Sequence, residues 1–367
     1  LYRSLSSLQR SQLHRSLGER LMLICNSARP ELASVLALHL EKGRDYEGAV
    51  RNLVVAAENA AKRFSYRDAV QILRRALELV PAMQPGARPE LEIRILQRIG
   101  DTQFVLGEMS DSAESYETAA NRAARIGLKA AQAEALIRMA LPAWYLDAAR
   151  GNEVCQRALE VCASLDDPLM TAQARLTLSS LRLLFDEWRE EEAGVCTNAI
   201  QTIRGTSGSS IIHHGLHIHV PAFQGNYRDA HREADALINT TANPLDYARA
   251  CSAKSIALLF QGRFGELLQM IRTGRESAEK NGEYPWMYMF AEAWLRLLCF
   301  DFDGAHRLGK IVMRSDVWKH ACSVEGHFRA LSWVCCTSSR ESRRGFAMLL
   351  ASPGSWDNTQ VLRALVL

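Results

Sequence analysis

The chain has 367 residues, 48% of them hydrophobic and 23% charged, which is enough apolar material for a large buried core and too much for a disordered segment. Its 44 basic and 41 acidic residues leave a formal charge of +3 with no long block of one sign, which argues against a dedicated nucleic-acid binder. The longest apolar runs, LVVAA and IALLF, fall far short of the roughly 20 residues that span a membrane, so no membrane association is expected.

Nine cysteines (Cys25, Cys155, Cys162, Cys196, Cys251, Cys299, Cys322, Cys335 and Cys336) are scattered through apolar helical patterns. An odd number without a secretory leader predicts buried thiols in a reducing cytoplasm. Cys335 and Cys336 could form a redox pair, but adjacent residues rarely meet disulfide geometry without strain. The chain opens at Leu1 and closes on the apolar stretch TQVLRALVL with no helix stop behind it, so both ends read as cuts in a longer protein.

In chain order, the first 28 residues, containing LHRSLGERL, read as a helical arm. From residue 29 onward one signal recurs: a tight turn, then an aromatic or Met, then a small residue three positions later. GRDYEGA supplies Tyr46 and Ala49, RFSYRDA supplies Tyr66 and Ala69, and GEMSDS supplies Met109 and Ser112. FDEWREE follows with Trp188, GNYRDA with Tyr227 and Ala230, GRFGEL with Phe264 and Leu267, and DFDGA with Phe302 and Ala305. Successive anchors lie 20, 43, 79, 39, 37 and 38 residues apart, and the interval of 79 is two periods with an aromatic missing near Ala148.

A period of about 34–40 residues is one helix, a turn and a second helix packed against it. After the turns, apolar residues continue at helical spacing: Leu53 and Ala56, Leu73 and Ala76, Tyr116 and Ala119, Ala234 and Leu237. Two departures stand out. The 20-residue interval between Tyr46 and Tyr66 leaves no room for a separate first helix, so one helix must serve two pairs. Glu191 and Gly309 sit where other residue types are expected, so the register of the second half is loose by about a residue.

FSYRDAVQILRRALELVP, with Tyr66, Ala69, Leu73, Ala76 and Pro81, resembles the second helix of a tetratricopeptide repeat. IGDTQFVLGEMSDSAESYETAA adds a first helix with Ile99, Gly100 and Gly107. The resemblance implies an all-α, tetratricopeptide-like α-solenoid of seven or eight stacked antiparallel helix pairs. The expected boundaries are a helical arm over 1–28, the solenoid over 29–339 and truncated final helices over 340–367.

The stretch from LHRSLGERL through PELASVLALHLEKGRDYEGAV to RRALELVP is also similar to the segment following the nucleotide-binding core in bacterial STAND-type ATPase regulators, MalT-like and LuxR-type activators and ATPase-linked cyclases among them. That resemblance implies a sensor region in a larger cytoplasmic signalling or transcription regulator, with an ATPase domain elsewhere in the parent chain.

The chain has no phosphate-cradling G-x-x-x-x-G-K-[ST] loop, no G-x-G-x-x-G opening a helix, no G-x-S-x-G elbow and no C-x-x-C pair. No catalytic residue, cofactor or metal ligand is therefore assigned, and the chain is not expected to be an enzyme. DEWREEE, with five carboxylates, reads as a solvated helix start, where acids also favour the positive end of the helix dipole. In IIHHGLHIHVPAFQGNYRDA, His213 and His217 stand one helical turn apart, a zinc-ligand spacing. A catalytic helix of that kind needs a glutamate between its histidines, and HHGLHIH contains no acid. His217 takes a packing position usually held by Leu, so the stretch reads as a degraded repeat. EYPWMYMFAEAW carries Tyr284, Trp286, Tyr288, Phe290 and Trp294 without a basic stripe, and reads as helix-pair packing.

The function these features imply is non-catalytic: a scaffold whose concave face takes a protein segment or a small inducer. The first-helix register places Arg94, Gln97, Asp101, Trp144, His219, Arg249 and Trp294 on that face. The alternatives are a metal-dependent hydrolase using His213–His219 and a nucleic-acid-binding helical solenoid. Direct nucleic-acid contact is not expected, given the balanced charge.

Overall fold

The computed structural model describes residues 2–25, 30–86, 88–185, 189–204, 214–241, 244–280, 286–299, 301, 303–305 and 307–308. Among the described residues there is no strand. An arm helix α1 (Ser7–Cys25) precedes α2 (Ala33–Lys42), α3 (Tyr46–Lys62), α4 (Tyr66–Leu79), α5 (Arg88–Leu106), α6 (Met109–Arg125), α7 (Lys129–Leu146) and α8 (Ala148–Ala163). The second half comprises α9 (Pro168–Phe185), α10 (Glu190–Arg204), α11 (His214–Phe223), α12 (Tyr227–Thr240), α13 (Pro244–Phe260), α14 (Phe264–Lys280) and α15 (Trp286–Leu298). The chain is an all-α, tetratricopeptide-like solenoid of antiparallel helices stacked in sequence order.

The recurring turns explain the helix boundaries. A left-handed residue ends one helix, a single residue follows, and the next helix begins: Arg44 before Tyr46, Phe64 before Tyr66, Gly107 before Met109, Gly225 before Tyr227 and Gly262 before Phe264. Glycine adopts that conformation without penalty, whereas Arg44 and Phe64 hold it at φ 63°. The intervening residue caps the new helix at Asp45, which accepts from the Gly48 N–H at 2.9 Å, and at Asn226, which accepts from the Asp229 N–H at 3.4 Å.

The recurring anchors therefore mark second-helix starts. The missing anchor near Ala148 is the first residue of α8, with Gly151 in the small position. The 20-residue interval is filled by α3 alone, which packs on both α2 and α4 and so serves two pairs. One register differs from the sequence expectation: α10 starts at Glu190, so its small residue is the buried Ala193 rather than Glu191, which is exposed. Phe302, Gly309, Cys322, Cys335, Cys336 and the segment 340–367 lie outside the described residues.

Small residues set the helix spacing. A methyl group on Gly100 would stand 2.9 Å from the Tyr116 ring, and one on Gly151 would stand 2.8 Å from Trp144. These pairs lock α5 to α6 and α7 to α8 at close approach, with Tyr116 and Trp144 fully buried. From α5 to α15 each odd-numbered helix also packs on the next odd-numbered helix, so these helices line the inner side of the curve.

The curve closes on itself. Helix α13 packs back onto α5, and Met289 and Ala293 of α15 join the same apolar cluster as α2–α9. Tyr247 of α13 meets Phe64 of the α3–α4 turn edge to face, with ring centroids 5.7 Å apart. No helix among the described residues is long and apolar enough to cross a membrane.

Candidate functional site

On α5, Arg94, Gln97 and Asp101 follow one another at helical spacing on the inner side. They are brought together with Arg98 and Thr102 in a cavity of about 370 Å³. Its walls come from Ala57, Glu58 and Ala61 of α3, Ala69 and Leu73 of α4, and Glu134 and Arg138 of α7. Thr241, at the end of α12, reaches it from the other side of the closure. The cavity thus lies at the seam where the second half of the chain returns to the first.

Most charges around the cavity are engaged with one another. Arg138 donates to both oxygens of Asp101 at 3.2 Å and to Glu134 at 3.0 Å. Arg98 pairs with Glu58 across α5 and α3. The Tyr116 hydroxyl donates to Asp101, and burial beside that carboxylate pushes the phenol well above its ordinary range. Asp101, 3% exposed, is therefore a structural acceptor for two helices.

Gln97 differs from these groups. It is 6% exposed, and its amide nitrogen is buried without an acceptor among the described residues. Such an orphaned donor costs about 1–3 kcal/mol, and the amide torsion is soft enough to turn toward the cavity. Arg94, one turn earlier, is exposed at the cavity. Together they offer one buried and one exposed donor.

The other residues expected on the inner face lie away from this cavity's lining. Trp144 is completely buried between α7 and α8, where the close approach at Gly151 holds the indole between the two helices of its own pair. Arg249 sits on α13 at the closure, 3% exposed, with its guanidinium 5.3 Å above the Phe104 ring centroid. His219 is buried, its Nε2 3.4 Å from the Ser252 hydroxyl on α13. It belongs to the packing of α11 on α13 and is not among the residues lining the cavity. Trp294 lies on α15, and its side chain is outside the described residues, as are those of His214 and His217; His213 lies outside them altogether.

Sequence reasoning missed Arg138, Glu134 and Thr241. The arginine and glutamate are an i, i+4 pair that reads as an ordinary solvated face, and Thr241 enters only through the closure. Among the described residues, no group of three His, Cys, Asp or Glu side chains is arranged to hold a metal ion. Burial pushes the Cys155 thiol up to about 12, and the Cys162 and Cys196 thiols up to about 11. Such thiols stay protonated at neutral pH and are poor nucleophiles.

Among solved structures, the chain is similar to a tetratricopeptide repeat protein from Parabacteroides merdae ATCC 43184, at 13% sequence identity and a TM-score of 0.39, over 80% of this chain and 98% of that one. No protein-family model and no curated protein matches the chain.

Proposed function

We propose that this chain is a non-catalytic sensor scaffold whose inner cavity binds a small effector and reports its presence through the closure of the solenoid. The observation that carries this reading is the unsatisfied Gln97 amide in a cavity built from both sides of the seam. The inner face of α5 is covered by α13, which favours a small inducer over an extended protein segment as the occupant. A ligand contacting Gln97 and Arg94 on one side and Thr241 on the other would bind the closed form more tightly than an open one. Only that difference in affinity can move the equilibrium. In the cytoplasmic regulator that the N-terminal resemblance implies, an ATPase region of the parent chain would read the change.

Thermal melting of the full chain against a panel of small carboxylates, sugars and nucleosides tests the reading. A true effector at about 100 times its Kd adds roughly 2.7 kcal/mol, and Gln97→Leu should lose that gain while keeping the unliganded fold. Stabilisation by extended peptides alone, or by a small molecule equally in Gln97→Leu, would place the binding site elsewhere.

A further inference from the structure

The arm helix α1 docks on α2, and the polar link between them is a chain of three side chains. Tyr2, in the short 3-10 turn before α1, places its hydroxyl 2.7 Å from Nε2 of His14. On the other side of the same ring, Nδ1 of His14 stands 2.8 Å from Nδ1 of His39 on α2. The two imidazoles are stacked at a tilt, centroids 5.0 Å apart, and His14 is 9% exposed. Around this link the helices pack closely: a methyl on Gly18 would meet the Leu40 side chain at 2.9 Å, and one on Gly43 would meet the Arg15 backbone at 2.9 Å.

The Nδ1–Nδ1 bond exists only while one nitrogen carries a hydrogen and the other presents a lone pair. With both rings protonated, two N–H groups would face each other at 2.8 Å. The surrounding charges oppose protonation of His14. Lys42 on α2 acts on His14 as a like charge, and so does His39 once it is charged. Arg10 on α1 stacks on the Tyr2 ring at 5.9 Å. The nearest acids on these two helices have other partners: Glu41 is engaged by Arg75 of α4, and Glu19 by Arg15.

We propose that Tyr2, His14 and His39 form a proton-operated clasp, which holds α1 on α2 at neutral pH and releases it on acidification while the rest of the solenoid stays folded. The sign follows from the environment of His14. Burial first, then His39 and Lys42, lower its pKa below the ordinary 6.5. The docked state therefore binds fewer protons than the released state. The docking free energy that depends on this group is fully present above about pH 6.5 and is lost as the pH falls through the lowered value. Each proton taken up on release changes the opening equilibrium up to about tenfold per pH unit.

Hydrogen exchange of the full chain, corrected for the intrinsic pH dependence, tests this between about pH 8 and pH 5. The expected result is selective loss of protection in residues 7–25 on acidification, with α5 and α6 still protected. The double variant His14→Gln/His39→Gln keeps an amide-to-amide hydrogen bond and cannot charge, so its α1 protection should be flat across the range. An identical pH response in wild type and double variant, or loss of α1 and α5 together, overturns the clasp. An NMR titration of wild-type His14 gives a second reading that needs no variant: a midpoint below about 6.5 is expected, and one at or above it overturns the proposal.

Discussion

Asp101 shows how much one inner-face residue can be committed to. Its carboxylate accepts from Tyr116 of α6 and Arg138 of α7, so a single side chain ties three helices together. Removing its charge leaves the Arg138 guanidinium, 17% exposed, with only the more exposed Glu134 opposite it in this group. Breaking one side of a buried pair costs about 3–5 kcal/mol. We expect Asp101→Asn to fall near the lower end, about 3 kcal/mol in urea denaturation, because asparagine still accepts one hydrogen bond. The exposed Arg263–Glu266 pair should by contrast tolerate Glu266→Gln with little change, since screening removes most of the value of surface pairs. At this scale the sequence was partly legible: helical spacing placed Arg94, Gln97 and Asp101 on one face, but it could not tell that Asp101 is occupied and the Gln97 amide is not.

The helix–turn–helix unit was the most legible element, because the turn demands a left-handed residue and the helix-start residues follow from it. Where that residue is not glycine, the fold carries strain. Arg44 is exposed, holds φ 63° and offers only its backbone to the turn. Relief of the left-handed penalty, about 1–2 kcal/mol, outweighs the extra chain entropy of glycine, about 0.5–1 kcal/mol. Arg44→Gly should therefore raise stability by about 0.5–1 kcal/mol, read from the denaturation midpoint at unchanged slope. Phe64 occupies the equivalent position after α3, but its ring packs on Tyr66 and Tyr247, so glycine there would lose those contacts. Two residues in the same backbone state thus have opposite expected responses, and only the side chain's surroundings separate them.

At the scale of the molecule, the closure of α13 on α5 departs from a plain array, in which each repeat touches only its neighbours and stability is a sum of local terms. Among the contacts that close it are Tyr247 against Phe64 and Arg249 over Phe104. Tyr247→Ala with Arg249→Ala should open the curve, raising the radius of gyration in small-angle scattering while far-UV circular dichroism stays helical. An unchanged radius would mean that the apolar contacts of α15 with the first repeats hold the closure alone.

The sequence by itself determined the fold class, most of the second-helix starts and the sharing of α3 between two pairs, because all of these follow from local rules: helical spacing of apolar residues, a left-handed turn residue and a small residue at each crossing. Tertiary structure alone decided the curvature. The curvature depends on the small rotation between successive pairs, set by the packing of each inner helix on the next, whose sum no local pattern encodes. That accumulated rotation brings Thr241 to Gln97 and Arg249 to Phe104, residues more than a hundred positions apart.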